Sequence, residues 1–406
     1  MTGWELIGTL FRNETTGLFV PTEPGLLGVN EGGVAWGDYD RDGDLDLLMA
    51  GSHLPGPPFI ISRIYQNDGH GSFTDIEAGL QPMLWGGCAW VDADNDGDLD
   101  VFITGATSTY APEMQLMPLL YSNVGGQFVL ASTTLPALQV TAFAWGDSDR
   151  DGDQDVVLIR PDASLLYRND GAGSFTALDV GLPSTAAAKL AWADLDNDGW
   201  LDLVVVGQQF LRGFLNGHNA EFHAFDIGSQ HITSPSLTPS FACGDLDQDG
   251  DVDLFVSSTE DTDAVWVMRN DGPATFTEIR LELAAAAGRM SGGETAAGDY
   301  DADGDLDVVT IGSDLTWSYR AYLYQNTAAT PKPPPPPPVE LSASVGRGND
   351  VQLGWERPGR DSVGSGEALR YNLRIGRTPG GIDVMAPHAD PATGRRLIPD
   401  FGNAGA

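Results

Sequence analysis

One nonamer, written six times, constrains this chain more than anything else in it. It reads DYDRDGDLD from Asp38, DADNDGDLD from Asp92, DSDRDGDQD from Asp147, DLDNDGWLD from Asp194, DLDQDGDVD from Asp245 and DYDADGDLD from Asp299. Carboxylates stand at positions 1, 3, 5 and 9, and glycine at position 6, in every copy. Alternate acidic residues in a tight loop bring their oxygens round to one centre, which is the donor set of a hard cation, Ca²⁺ above all. The glycine permits the positive φ of a sharp turn. An EF-hand shares the first six positions but needs a bidentate Glu at position 12 and a helix on each side. Position 12 here is Met49, Ile103, Leu158, Val205, Val256 or Thr310, none of which offers a carboxylate.

The candidate ligands are therefore the loop residues themselves. They are Asp38, Asp40, Asp42, Asp44 and Asp46; Asp92, Asp94, Asp96, Asp98 and Asp100; and Asp147, Asp149, Asp151, Asp153 and Asp155. The later loops add Asp194, Asp196, Asp198, Trp200 and Asp202; Asp245, Asp247, Asp249, Asp251 and Asp253; and Asp299, Asp301, Asp303, Asp305 and Asp307. Position 7 tolerates Trp200, which suits a position that ligates through its backbone carbonyl. About six Ca²⁺ per chain are expected, each neutralising carboxylates that would otherwise repel one another.

The loops start 47 to 55 residues apart. A period near fifty signals stacked or radial units. Each loop follows a small apolar segment (VAWG, CAWV, FAWG, LAWA, FACG, TAAG) and precedes a strand-like one (LLMAG, VFITG, VVLI, LVVVG, LFVSS, VVTIG), so it joins two buried strands. A second element recurs between the loops: LFRNETTGLF from Leu10, IYQNDGHGSF from Ile64, LYSNVGGQF from Leu120 and LYRNDGAGSF from Leu166. Weaker copies start at Gly213 and Val267, and a final LYQN starts at Leu323. An apolar pair, an Asn, a Gly-bearing turn and an aromatic strand describe a hairpin. Four short strands per period predict an all-β chain whose units are β-propeller blades.

AWGDYDRDGDLDLLMAG and LYRNDGAGSFT together resemble the FG-GAP/VCBS repeats of integrin α-chain-like propellers. The resemblance covers roughly residues 5–327 and implies Ca²⁺ in the Asp loops of a propeller that usually has seven blades. This chain has seven Asn turns but six Asp loops, since the turn at Asn13 has no loop upstream. Seven blades, the first partial, are expected; a six-bladed ring closed by residues 5–20 is the alternative.

The formal charge is −37, and 29 of the 58 acidic residues lie inside the nonamers. Six divalent ions would bring the charge to −25. With only 21 Lys and Arg there is no basic footprint for nucleic acid. No run of eighteen apolar residues marks a transmembrane helix. Loops lacking the twelfth-position Glu bind Ca²⁺ weakly and suit a millimolar, extracellular supply. An extracellular or cell-surface location is expected, with a signal peptide outside this sequence. Cys88 and Cys243, on strands of different blades, read as buried free thiols.

PKPPPPPP (331–338) reads as a stiff polyproline spacer within a linker over 328–338. After the propeller over 1–327, residues 339–406 resemble the first half of a fibronectin type III domain: VELSASV, DVQLGWE and RYNLRIG read as strands, with Trp355 and Tyr371 as core aromatics. The function expected is binding or adhesion, with an extracellular protein or carbohydrate as partner. An extracellular hydrolase or lyase is the alternative. The six histidines are scattered and no G-x-S-x-G elbow occurs. Six equivalent Asp clusters indicate a shared structural duty, and catalysis needs one singular site. Trp36, Trp90, Trp145 and Trp192, each two residues before a loop, read as core. Residues 107–118 break the repetition, and Tyr110, Met114 and Met117 are the ligand candidates there.

Overall fold

The structure is a computed structural model, and it describes residues 8–14, 18–22, 24–53, 59–108, 116–185, 188–218, 221–228, 232, 239–257, 265–281, 291–301, 303, 305–313, 319–327, 339–345 and 351–356. Among these the secondary structure is strand and turn throughout, without a helix. Among the described residues no helix is long and apolar enough to cross a membrane.

The first blade is β3 (Asn30–Gly37), β4 (Asp46–Ser52), β5 (Ile60–Asn67) and β6 (Phe73–Asp75). The second is β7 (Cys88–Val91), β8 (Asp100–Ala106), β9 (Leu116–Val124) and β10 (Gln127–Leu130). The third is β11 (Ala142–Gly146), β12 (Asp155–Ile159), β13 (Leu165–Asn169) and β14 (Phe175–Leu178). The fourth is β15 (Ala188–Ala193), β16 (Asp202–Gly207), β17 (Phe210–Asn216) and β18 (Phe222–Asp226). The fifth is β19 (Ser240–Gly244), β20 (Asp253–Ser257), β21 (Val265–Asn270) and β22 (Phe276–Arg280). The sixth shows three strands among the described residues: β23 (Ser291–Gly298), β24 (Asp307–Ser313) and β25 (Tyr319–Tyr324). Within each sheet the strands lie in chain order.

The fold is a six-bladed β-propeller, and the seven-bladed expectation is corrected. β1 (Leu10–Glu14) and β2 (Leu18–Thr22), around the first Asn turn, pair as a separate two-stranded sheet. With no Asp loop before Asn13, there is no inner strand pair for this hairpin to extend into a blade.

The chain divides into two compact units. One includes Met1–Trp192 and Asn216–Ala224, the other Ala193–Leu215 and Phe225–Tyr371. In the first, buried side chains of consecutive blades form shared cores. Tyr39, Leu48 and Ile64 join Met83, Trp90, Ile103 and Tyr121, and Phe102 and Leu120 join Val156, Leu158 and Tyr167. In the second, Phe255 and Val265 join Val308, with Leu246 and Tyr324 against them. The second strand of each blade follows its Asp loop and is apolar on both faces; β4, β8, β12, β16 and β20 are buried at every residue. Each fully buried Leu, Ile, Val or Phe contributes about 1.5–3 kcal/mol relative to exposure.

The repeated aromatics explain one another. Trp36 packs edge-on against Phe73 with centroids 6.0 Å apart and Trp145 edge-on against Phe175 at 6.0 Å, while Trp90 meets Phe128 at 5.9 Å and Trp192 meets Phe222 at 6.2 Å with tilted rings. The Trp before the loop thus meets the Phe after the Asn turn of the same repeat. Trp90 Nε1 also donates to Ala35 O at 3.2 Å, and Trp192 Nε1 to Ala144 O at 3.3 Å, each in the preceding blade. A Cβ on Gly37 or Gly146 would stand 2.6 Å from the Trp90 or Trp192 ring, so glycine before the loop lets that indole close in.

The first two blades begin with bulges. Around Glu31 the β3–β4 register shifts between Asn30 and Gly33. In the second blade Leu84 bridges Ala106, and Gly87 O then accepts Thr104 N at 2.9 Å, which leaves Trp85 and Gly86 bulged out. Glu31 has φ 54 and Trp85 φ 58. Left-handed backbone costs an L-residue roughly 1–2 kcal/mol. The glycine that follows is obligatory, because a Cβ would lie 1.9 Å from Ala50 O at Gly32 and 2.0 Å from Thr104 O at Gly86.

β26 (Val339–Val345) and β27 (Val351–Glu356) pair as an antiparallel hairpin. The polyproline spacer, Tyr371 and the rest of the expected fibronectin-like module lie outside the described residues.

Candidate metal loops

Five of the six Asp loops are seen to hang between two paired residues. Gly37 faces Asp46, Val91 faces Asp100, Gly146 faces Asp155, Gly244 faces Asp253 and Gly298 faces Asp307. Inside the loop, short hydrogen bonds wind the chain round its own carboxylates. The position 6 glycine N–H donates to the position 1 Asp: Gly43 to Asp38 at 3.1 Å, Gly97 to Asp92 at 3.0 Å, Gly152 to Asp147 at 3.1 Å, Gly199 to Asp194 at 3.0 Å and Gly250 to Asp245 at 3.1 Å. Position 5 N–H donates to position 3, as in Asp42 to Asp40 and Asp198 to Asp196, both 3.2 Å. Position 7 N–H donates to position 5, as in Asp98 to Asp96 and Trp200 to Asp198, both 2.8 Å. Trp200 therefore does in its loop what the aspartates do, because the backbone does it.

The glycine at position 6 has φ between 89 and 101 in the first five loops. Position 4 is left-handed as well: Arg41 at 62, Asn95 at 56, Arg150 at 62, Asn197 at 58 and Gln248 at 64. The mixed residue types at position 4 hid this second turn from sequence reasoning.

Oxygens converge in the first five loops. Ligand atoms of Asp38, Asp40 and Asp42 lie within 4.8 Å of one another, as do those of Asp92, Asp94 and Asp96 and of Asp147, Asp149 and Asp151. In the fourth and fifth loops the close trios are Asp194, Asp196 and Asp202, and Asp245, Asp247 and Asp253. The donor chemistry fits a hard divalent cation, and so does an orphaned oxygen. Asp92 Oδ1 and Asp147 Oδ1, at position 1, are buried and accept no hydrogen bond, and the same holds for Asp301 Oδ1, at position 3. A buried anionic oxygen without a partner is costly unless something positive meets it. Ca²⁺ would supply that charge, held by the carboxylates of positions 1, 3, 5 and 9.

Position 9 also has a structural task. Asp100 Oδ2 accepts Ala93 N at 3.1 Å and its Oδ1 accepts Asn123 N at 2.8 Å. Asp46, Asp155, Asp253 and Asp307 repeat both bonds with their own partners. This carboxylate ties the loop to the Asn turn.

Burial dominates the titration of these groups. It pushes Asp38 and Asp147 up to about 6, Asp46, Asp92, Asp155 and Asp253 up to about 7 and Asp100 up to about 8. Neighbouring carboxylates push the same way, and the backbone N–H bonds pull back.

Two sets of contacts join successive loops. In blades two to six the Asn of the outer hairpin donates to the position 2 carbonyl of the preceding blade: Asn123 to Tyr39 O at 3.2 Å, Asn169 to Ala93 O and Asn216 to Ser148 O at 2.8 Å, and Asn270 to Leu195 O and Asn326 to Leu246 O at 2.7 Å. Asn123, Asn169 and Asn326 also donate to position 8 of their own loops, at 3.2 Å. Position 4 then reaches the position 7 carboxylate of the next loop. Arg41 pairs with Asp98 at 2.7 Å, Asn95 donates to Asp153 at 3.2 Å, and Asn197 donates to Asp251. The repeated Asn was visible in the sequence as a turn marker, but its lateral bond was not.

Of the ligand candidates in the irregular segment, Met117 lies on β9 and packs against the core of the first two blades. Tyr110 and Met114 lie outside the described residues. Cys88 and Cys243 are free, and burial pushes both thiols up to about 12.

The FG-GAP-like repeat family model matches residues 147–205 and 209–310. Those stretches carry FG-GAP-like repeats. The loops at Asp38 and Asp92, outside the matched stretches, make the same bonds as those inside them. No curated protein matches the sequence. Among solved structures, an Agrocybe aegerita lectin described as recognising non-reducing terminal N-acetylglucosamine is similar with a TM-score of 0.55 and 16% identity, over 89% of this chain and 95% of the lectin. The Aleuria aurantia lectin in complex with Fucα1-6GlcNAc aligns with a TM-score of 0.40 and 12% identity, over 78% of this chain and 93% of that one. The exotype rhamnogalacturonan lyase YesX aligns with a TM-score of 0.41 and 14% identity, over 81% of this chain and 59% of that one. At such identities the first of these likenesses establishes the shared propeller fold of the FG-GAP-like repeats, not a shared ligand.

Proposed function

We propose that this chain is a calcium-stabilised β-propeller that works outside the cell as a carbohydrate-binding module rather than as an enzyme. The observation that carries the calcium part is the set of buried carboxylate oxygens without partners, at Asp92, Asp147 and Asp301, inside loops of one design. Six like loops distribute one stabilising duty; a catalyst concentrates its chemistry in one place. The carbohydrate part is supported by the propeller neighbour that recognises terminal N-acetylglucosamine and spans nearly the whole chain. Ca²⁺ here neutralises the loops and braces the blades, and the ligand contacts come from residues that differ between repeats.

A glycan array probed with the full chain, in millimolar Ca²⁺ and in EDTA, tests this. Saturable binding to a restricted set of glycans, weakened in EDTA together with the melting temperature, is the expected result. No glycan bound at any protein concentration, or turnover of a glycan, overturns the reading.

A further inference from the structure

Seven residues before Asp38 and before Asp92 stand Glu31 and Trp85, the bulged residues of the first two blades. They touch. Trp85 Nε1 donates to Glu31 Oε2 at 2.8 Å, and Trp85 N donates to Glu31 O at 2.7 Å. Trp85 is 46% exposed, whereas Trp90 and Trp192, which serve the core, are 8% and 6% exposed. Glu31 is exposed too, and its Oε1 makes no hydrogen bond among the described residues.

The scaffold does not require these side chains. The β23–β24 register shifts in the same way between Ser291 and Glu294, and there the residue seven before Asp299 is Gly292. Glycine takes left-handed backbone without penalty, and Glu and Trp do not. In the third blade the same position is Val140, buried in the core. Two blades therefore keep a strained carboxylate and a strained indole side by side at a surface. Bulges re-aim side chains next to sites, and strained conformations persist where the side chain is used.

We infer that Trp85 and Glu31 form a saccharide-binding pair: the indole face packs on the C–H face of one pyranose ring, and Glu31 Oε1 accepts a hydrogen bond from a hydroxyl of that ring. The inference rests on the carbohydrate reading above. A pyranose offers an apolar face with a rim of hydroxyls. A flat aromatic gives a large contact at little conformational cost, and a charged acceptor makes the stronger kind of hydrogen bond. The bond from Nε1 to Glu31 holds the indole in place before the sugar arrives, which lowers the cost of binding. An apolar peptide side chain would cover the indole but leave the carboxylate without a donor.

The test compares wild type, Trp85→Gly, Trp85→Phe and Glu31→Gly on the glycan array in millimolar Ca²⁺, with a melting curve for each. Trp85→Gly is expected to weaken every wild-type glycan signal by about tenfold or more, a difference of about 1.4 kcal/mol, while the melting temperature holds or rises because the strain is relieved. Trp85→Phe should keep part of the binding, and Glu31→Gly should lose selectivity among hydroxyl epimers. If wild type and Trp85→Gly bind the same glycans equally, the pair is only a clip between blades and this inference falls while the carbohydrate reading stands. If Trp85→Gly loses binding only in step with a fall in melting temperature that Trp85→Phe shares, the pair is structural and the inference falls. If wild type binds no glycan, both fall.

Discussion

β3 has a turn at each end, and the two turns are built to opposite rules. At Gly37 it runs into the Asp38 loop, whose bonds recur in the other loops almost atom for atom. At Asn30 it starts from the Glu31 bulge, and the equivalent residue is Trp85, Val140 or Gly292 in other blades. The loop end is also tied sideways, through Asn123 to Tyr39 O and through Arg41 to Asp98. The bulge end carries strain at Glu31 and Trp85. Identity from copy to copy marks a duty the scaffold needs in every blade. Departure from it marks a place where one blade can differ without unsettling the rest.

The largest expected effect breaks this contrast at its loop end. A ligand that binds only the folded state at ten times its Kd contributes about 1.4 kcal/mol per site. With about six sites, EDTA should lower the melting temperature by many degrees, and excess Ca²⁺ should restore it. A melting curve that ignores both would remove the structural role from the loops.

Proton linkage sharpens the same point. A carboxyl whose folded value lies near 7 or 8, against 3.8 as its ordinary value, holds its proton more tightly in the folded state. The metal-free protein should then be most stable near pH 4 and lose stability as pH rises through about 8. In EDTA it should melt higher at pH 5 than at pH 7.5. Added Ca²⁺ should help far more at pH 7.5, where the carboxylates are charged. A flat or rising EDTA profile between those pH values contradicts buried, cation-seeking loops.

Next in size is the lateral bond. Asn123→Ala removes donors from Tyr39 O and Leu99 O and an acceptor from Gly126 N. Unsatisfied buried groups cost about 1–3 kcal/mol each, so chemical denaturation should register a loss of several kcal/mol. Asn67→Ala, whose amide donates to Leu45 O, should cost less. Equal losses would show that the bond to the preceding blade contributes nothing.

The smallest effect belongs to the outer link. Arg41→Gly breaks the pair with Asp98 but frees a left-handed residue. A partly exposed ion pair contributes about 0–1 kcal/mol, so the net change should fall within roughly 0.5 kcal/mol. A loss of several kcal/mol would promote this link to the rank of the Asn bond.

The repeat, the strands, the tight acidic loops and the four-stranded unit were legible in the sequence, because all of these are local. Periodicity fixes which residues face a core, alternate aspartates fix a tight acidic loop, and a glycine fixes its turn. The number of blades was not local. Asn13 looks like its six counterparts, yet without an inner strand pair its hairpin stays two-stranded. What the repeated Asn is for emerged from tertiary structure alone, since its amide meets a carbonyl 68 to 84 residues away. That structure alone brought Trp85 onto Glu31, 54 residues apart, because the two bulges meet only when one blade packs on the next.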